Sequence, residues 1–318
     1  IRLAKKHLAP PDREALDDPR VRIFTRDGRS FLARTPGRYD AVLLSLPEPA
    51  TAQVNRYYTR EFFLEVRAKL SPEGVFSFVI PSAENYISEA LGQFLSSIAA
   101  TLRGVFPEVL AVPGGNCVFL ASDSPLSIDP GRLSASVDRL GLDLRFVSPG
   151  MLPARLDPAR VEYLAGKLSA PGARINRDLA PVSYYFHSVL WAGQFRSAEA
   201  RLLRAAGRVA PAWLLDLPLG IFAMGLAFLA IFRRRAPARF LVPVAVMGFT
   251  SMAVELAVFI AFQARFGFVY GKIPLLLAAF MAGLVAGAVT GRARTSSGGF
   301  ELPVVQGSFV LLLLLTSR

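Results

Sequence analysis

Up to about residue 125, short β-rich runs of hydrophobic positions alternate with longer helical runs. Strands are predicted at 21–25, 41–45 and 75–80, because each is a short run rich in apolar residues and bounded by turn residues or charges. Strands that alternate with helices are typical of a parallel sheet with helices on its faces. The pattern therefore predicts an α/β domain over residues 1–125.

Two amphipathic helices are predicted within this domain. One begins at Thr59, whose hydroxyl suits a helix N-terminus, and is expected to stop at Gly74. The other runs over about 84–106, with an apolar residue at every third or fourth position. Each helix has one apolar face to pack on the sheet.

A hairpin is predicted at the end of the domain. The runs 109–112 and 117–121 flank a turn of Pro113, Gly114, Gly115 and Asn116, which favours an antiparallel pair. Parallel units closed by such a hairpin suggest a class I methyltransferase-like, Rossmann-like sheet.

The composition changes near residue 210, after which acidic residues become rare. Apolar runs of about 20 residues cross a bilayer as helices. Such runs are found at about 213–232, 240–264 and 273–290, and a further run over 302–318 is cut off. The chain also lacks a starting Met and ends inside this last run, so we expect a fragment that misses sequence at both ends.

These features predict three regions and a location. Residues 1–125 are the α/β domain without its first strands, 126–210 a helical linker, and 211–318 a transmembrane domain. We expect a multi-pass protein of the inner membrane with the lipid bilayer as partner and the α/β domain in the cytoplasm.

The charge and the scarce metal ligands exclude other functions. The net charge of +12 comes mostly from single arginines spread among acids, unlike the clustered basic stripe of a nucleic-acid-binding protein. One cysteine and two histidines supply a metal site poorly. We therefore expect neither nucleic acid nor metal as a ligand.

The candidate ligand-binding residues follow the predicted strands, since ligands of open α/β sheets bind beyond the carboxyl ends of the strands. Asp27 and Gly28 follow the first strand, and Ser45 and Glu48 end the second or follow it. Asp27 is suited to accept a hydrogen bond from an adenine amino group, and Glu48 to bind a cation or act as a base. Either acid is also common in ordinary turns.

Glu255 is a separate candidate inside the predicted span 240–264. A carboxylate within a span is costly, so it faces a partner, a cavity or a proton path. The alternative is a structural glutamate that ties helices together by hydrogen bonds.

Several motifs together resemble the spermidine synthase family, and specifically its membrane-fused bacterial branch. They are Asp18-Pro19-Arg20-Val21, Arg26-Asp27-Gly28, Arg38-Tyr39-Asp40-Ala41-Val42, Leu46-Pro47-Glu48-Pro49, Tyr57-Tyr58-Thr59 and Leu70-Ser71-Pro72-Glu73-Gly74. Asn176-Arg177-Asp178-Leu179-Ala180-Pro181 is similar to the linker of that branch.

The resemblance implies transfer of an aminopropyl group from decarboxylated S-adenosylmethionine to a polyamine, without a metal. It implies that Asp27 and Gly28 bind the adenosyl group, that Tyr57 and Tyr58 bind substrate, and that the loop after residues 41–45 bears the catalytic carboxylates. A carboxylate is needed there because an ammonium group is not a nucleophile until it loses a proton.

The chain departs from the family pattern at this loop. Ser45 stands where the family has its catalytic Asp, and only the second acid is present, as Glu48. The strand 75–80 lacks the family's substrate-binding Gln, and the turn after residue 112 lacks its Tyr. The family's glycine-rich loop and ribose-binding acid are expected upstream of Ile1.

Three functions are compatible with these observations. The first is a membrane-anchored transferase domain that binds S-adenosylmethionine or its decarboxylated form and acts on an unidentified acceptor. The second is an inactive pseudoenzyme with a sensing or partner role. The third is membrane transport centred on Glu255.

Overall fold

The computed structural model describes residues 6–141, 150–170, 172–194 and 273–293, and also the single residues 144, 147, 248, 252, 255, 259 and 262. The chain divides into two compact units, residues 1–267 and 268–318. The α/β domain lies in the first unit. The predicted domain boundaries near residues 125 and 210 stay predictions.

Up to β4, helices alternate with strands for most of the chain. After β4, the described elements are all helices. The helices and strands are α1 Pro10–Asp17, α2 Gly28–Arg34, β1 Tyr39–Leu44, α3 Ala52–Asn55, α4 Arg60–Arg67, β2 Leu70–Pro81, α5 Glu89–Arg103, β3 Glu108–Val112, β4 Asn116–Ser122, α6 Pro130–Leu140, α7 Met151–Arg155, α8 Pro158–Lys167, α9 Val182–Gln194 and α10 Ile273–Ala293.

The sheet has the strand order β1-β2-β4-β3. β1 and β2 are parallel, whereas β4 is antiparallel to both β2 and β3. β3 therefore runs in the same direction as β1 and β2. β4 lies between β2 and β3 and runs in the opposite direction. This partial mixed sheet confirms the predicted α/β class and its methyltransferase-like arrangement, and it confirms the closing hairpin.

The predicted strand at 21–25 is wrong. These residues form no strand, and the side chains of Val21, Ile23 and Phe24 are 43 to 54% exposed. A strand is held by backbone hydrogen bonds to a neighbouring strand. Among the described strands, β1 pairs with β2 alone. The segment 21–25 therefore has the composition of a strand, but it has no partner strand in this part of the chain.

The helix that begins after Thr59 ends at Arg67, earlier than predicted. Thr59 caps it as expected by accepting a hydrogen bond from the Phe62 backbone N–H. Leu70, expected on this helix, instead opens β2 and pairs with Tyr39 of β1. Its backbone belongs to the sheet, which sequence periodicity alone does not reveal.

The core lies on one face of β2, where alternate side chains are buried. Phe76 and Phe78 point into it, and the rings of Phe63 and Phe119 pack against Phe78 with centroids 5.9 and 5.3 Å away. α4 and α5 cover this face. Burial of several aromatic rings is the main stabilising contribution in the domain.

The predicted membrane location needs correction. The runs 213–232 and 302–318 and nearly all of 240–264 lie outside the described residues, and the run 273–290 coincides with α10. Within the described part of the chain, no helix is long and apolar enough to cross a membrane. This finding contradicts the inner-membrane location, and the bilayer is not supported as a partner.

Candidate active site at the carboxyl ends of the strands

Glu48 lies in the loop that follows β1, at the edge of the sheet where ligands of α/β proteins bind. Its side chain is 29% exposed, and Oε1 lies 3.4 Å from Nε2 of His187 on α9. Within the described residues, Oε2 makes no hydrogen bond. Glu48 therefore presents one carboxylate oxygen that an incoming ligand can use.

Tyr58 holds the Glu48 loop in place. Its side chain is completely buried, and its hydroxyl donates to the backbone oxygens of Leu46 and Pro47, at 3.2 and 2.9 Å. Burial, with the nearby charge of Glu48, raises the pKa of the Tyr58 phenol. The phenol thus stays protonated and remains a donor to the loop.

His187 is the second titratable group beside Glu48. It is nearly buried, at 6% exposure, and the indole Nε1 of Trp191 donates to its Nε2 at 3.0 Å. A ring nitrogen either carries a proton or accepts one. Nε2 therefore accepts from Trp191 or donates to Glu48, and the two contacts compete for one nitrogen.

Asp27 does not present a free carboxylate. It caps α2 by accepting from the Ser30 backbone N–H, and it accepts three further hydrogen bonds, two from Arg56 and one from the Tyr57 hydroxyl. Burial acts to raise the pKa of Asp27, but the Ser30 N–H and the Arg56 guanidinium outweigh it and hold the pKa below its ordinary value. Four accepted bonds fill the usual capacity of a carboxylate. An adenine amino group reaches Asp27 only if one of these donors moves away.

The corner between α3 and α4 joins the two groups of predicted site residues. Arg56 and Tyr57 bind Asp27, and the next residue, Tyr58, binds the Glu48 loop. The Tyr57 ring also lies 3.8 Å from the Cβ position of Gly28. Asp27, Gly28 and Tyr57 therefore form one cluster beside that of Glu48, Tyr58 and His187.

A polar staple fixes this corner from a distant part of the chain. The fully buried Asn176 donates to the Asn55 side chain and to the Tyr58 carbonyl oxygen, at 3.0 and 2.8 Å. The Asp178 carboxylate accepts two hydrogen bonds of 2.9 Å from Arg29. Although burial opposes it, hydrogen bonding to Glu65 and Asp178 raises the pKa of Arg29 further above its ordinary value. The motif around Asn176 thus has a structural role.

The other predicted residues lie elsewhere or stay untested. Ser45 is exposed directly after β1. Glu255 is helical and partly buried, and the residues next to it in the chain lie outside the described part. The substrate roles of Tyr57 and Tyr58, the catalytic role at Ser45 and the role of Glu255 stay predictions.

Comparison with known proteins finds one family match in the first part of the chain. Residues 1–114 match the spermine/spermidine synthase domain. The matched stretch includes β1, β2, β3 and the Glu48 loop, whereas α8 and α9 follow it in the chain. His187 and Asp178 therefore contact the matched stretch from a segment beyond it.

Curated relatives support the polyamine aminopropyltransferase family. The polyamine aminopropyltransferase of Nitrosomonas europaea is 32% identical over 178 residues, which are 54% of this chain and 54% of that protein. Polyamine aminopropyltransferase 2 of Aquifex aeolicus is 25% identical over 193 residues, 59% of this chain and 36% of that protein. The chain thus spans about half or less of the length of these relatives. These matches do not show the membrane-fused branch or the truncation, and they favour neither the pseudoenzyme nor the transport hypothesis.

Among the solved structures that are similar to this chain is a spermidine synthase in complex with the transition state analogue AdoDATO. It is 19% identical, with a TM-score of 0.38, and the match covers 53% of this chain and 55% of that chain. A probable spermidine synthase from Corynebacterium glutamicum is 16% identical, with a TM-score of 0.33, over 52% of this chain and 60% of that chain.

Sequence reasoning missed His187, Arg56 and Arg29. One signal for His187 was present, since it is one of only two histidines in the chain and follows a tyrosine-rich run. Its nearness to Glu48, 139 residues away, is set by the packing of α9 on α5. The two arginines carried no signal among the many single arginines of the chain.

Proposed function

We propose that this domain transfers an aminopropyl group from decarboxylated S-adenosylmethionine to an amine acceptor such as a polyamine. The observation that carries the proposal is the position of Glu48. It lies at the carboxyl end of β1, partly exposed and fixed by Tyr58, within the stretch that matches the spermine/spermidine synthase domain. The relatives named as polyamine aminopropyltransferases support the same reaction.

The chemistry requires a base and an oriented acceptor. The acceptor ammonium gives a proton to a carboxylate, and its nitrogen then attacks the methylene carbon bonded to the sulfonium. A C–N bond forms, the C–S bond breaks, and sulfur keeps the electron pair as a neutral thioether. In the proposed reaction Glu48 accepts this proton, and before the transfer its charge reduces the repulsion between a cationic donor and a cationic acceptor.

Ser45 does not supply this base. A serine hydroxyl is a weak base at neutral pH, and Ser45 is exposed at the end of β1. In the proposed reaction Glu48 is therefore the base, and His187 lies beside it. Restoring a carboxylate with Ser45→Asp is expected to raise the rate of transfer.

The test uses the full-length protein. Calorimetric titration with decarboxylated S-adenosylmethionine measures donor binding, and release of the thioether nucleoside in the presence of 1,4-diaminobutane measures transfer. We expect Glu48→Gln to lower kcat about 100-fold, at the lower end of the contribution of a general base. The exposed Glu73 provides the control Glu73→Gln, which is expected to keep full activity.

Two results would contradict the proposal. One is the absence of donor binding by the folded full-length protein. The other is an unchanged kcat in Glu48→Gln, which would remove Glu48 from the reaction even if the donor binds.

A further inference from the structure

A cavity of about 450 Å³ lies beside the carboxyl end of β2. It is open on one side and is lined by residues that follow β2, by the turn between β3 and β4, and by α8. Its volume is within the range of small-molecule sites, roughly 300 to 1,000 Å³. Because β1 and β2 are parallel and adjacent, this cavity and Glu48 lie at the same edge of the sheet.

The wall of the cavity on α8 is fixed to the loop that follows β2. The Tyr163 hydroxyl on α8 accepts a hydrogen bond of 3.2 Å from the backbone N–H of Ile87. Ile87 and Leu164 are each 2% exposed and give the cavity an apolar floor. The site is therefore preformed, with a fixed helix on one side and apolar surface for a short aliphatic chain.

The charged groups of the cavity have opposite signs. Glu84 and Arg160 are the charged residues that line it in the described part of the chain, and Oε2 of Glu84 lies 3.9 Å from an Arg160 guanidinium nitrogen. Their side chains are 60 and 37% exposed. At this distance they form a loose ion pair rather than a close hydrogen bond, so each can bind a ligand group of opposite charge.

A second guanidinium lies at the rim. The Arg155 side chain approaches Gly114 in the turn, where a Cβ atom would be 3.2 Å from its Nη2. Glu84 lies near the neighbouring Gly115, 3.9 Å from the Cβ position there. The glycines leave room for both side chains. With two cations and one anion around the turn, a doubly charged diamine meets more repulsion than attraction.

We propose that this cavity binds the head group of an α-amino acid, with Glu84 holding the ammonium and Arg160 the carboxylate. The ammonium nitrogen and the nearer carboxylate oxygen of an amino acid are roughly 3 Å apart. They can therefore lie alongside the Glu84 oxygen and the Arg160 nitrogen, which are 3.9 Å apart, with one contact to each. The aliphatic part then lies on Ile87 and Leu164. As acceptor of the proposed transfer, a basic amino acid would offer its terminal amine to the chemistry at the strand ends, and this part rests on the proposed function.

The test compares three ligands that differ by one charged group. Ornithine carries both head-group charges, 1,4-diaminobutane is ornithine without the carboxylate, and 5-aminopentanoate is ornithine without the α-amine. Calorimetric titration of the 318-residue chain is expected to show ornithine binding about tenfold more tightly than either of the others, the value of one charge-assisted hydrogen bond at a half-exposed site.

Variants assign the two charges. Arg160→Gln is expected to reduce ornithine affinity to that of 1,4-diaminobutane without weakening the diamine, and Glu84→Gln to reduce it to that of 5-aminopentanoate. Arg160→Lys keeps the positive charge and is expected to keep part of the preference for ornithine over 1,4-diaminobutane. Arg139→Gln, on α6, is the matched control and is expected to change nothing, and circular dichroism confirms that each variant is folded.

The proposal is overturned if 1,4-diaminobutane binds as tightly as ornithine, if no ligand of the three binds, or if Arg160→Gln leaves the preference intact. Titration of the full-length protein with decarboxylated S-adenosylmethionine separates this proposal from the proposed function. If the donor binds and ornithine is not preferred, the proposed amino-acid site is wrong and the proposed transfer reaction stands. If ornithine is preferred and the donor does not bind, the proposed transfer reaction is wrong and the amino-acid site stands.

Discussion

Nε2 of His187 lies 3.4 Å from Oε1 of Glu48, although 139 residues separate them in the chain. His187 belongs to α9, beyond the matched domain, and its ring is held by Trp191 on the next helical turn. The helix that follows the domain thus fixes the orientation of the carboxylate to which the proposed reaction assigns proton transfer.

The first prediction concerns this positioning role of His187. His187→Phe removes the polar contact to Glu48 and is expected to lower kcat about tenfold, a small part of the whole contribution of a general base. His187→Gln restores a donor and an acceptor and is expected to recover part of the loss. Thioether release at saturating donor and acceptor measures kcat. Equal loss in both variants, or a change in KM alone, would speak against positioning through Glu48.

The second prediction concerns the ion pair between Arg29 and Asp178. Asp178→Asn removes the charge that faces a nearly buried guanidinium and is expected to lower the free energy of unfolding by about 2 kcal/mol, typical of a hydrogen bond to a charged group. Urea unfolding followed by circular dichroism measures it. The exposed Asp138 on α6 provides the control Asp138→Asn, expected within about 0.5 kcal/mol of the parent chain. Equal values for the two variants would show that the charge of Asp178 does not stabilise the fold.

The third prediction concerns the pH dependence that Asp27 gives to stability. The pKa of Asp27 is lowered in the folded chain, so its contribution is fully present above the unfolded pKa of about 4 and is lost as the pH falls through the folded value. Asp27→Asn is therefore expected to be destabilising at pH 7, and its deficit is expected to shrink below about pH 4. Unfolding free energies measured at pH 7, 5 and 3.5 test this. A deficit that stays constant over this range would exclude the carboxylate charge as its source.

The fourth prediction contrasts two residues on neighbouring strands. Phe78 is 2% exposed among the aromatic rings, whereas Leu43 on β1 is 77% exposed. Phe78→Ala is expected to cost about 3 to 5 kcal/mol through lost burial and a cavity, and Leu43→Ala no more than about 0.5 kcal/mol. Thermal and urea unfolding measure both. A large cost at Leu43 would show that this face is covered in the folded chain.

The sequence alone predicted the features that depend on neighbouring residues. The apolar runs of β1 and β2, the cap at Thr59 and the Pro-Gly-Gly turn of the hairpin were all recognisable, because each is specified by residue types a few positions apart. The motif around Glu48 was recognisable for the same reason. The segment at 21–25 was mispredicted, since strand propensity does not reveal whether a partner strand is present.

Only the tertiary structure decided which side chains are free to bind ligands. Asp27 follows the pattern of an adenine-binding acid, yet Arg56 and Tyr57 use its oxygens. His187 lies beside Glu48, and Arg160 lies beside Glu84; both come from helices far along the chain. A local pattern fixes backbone conformation through short-range sterics and hydrogen bonds, whereas the charge and the partners of a site depend on helices that come together only when the core packs.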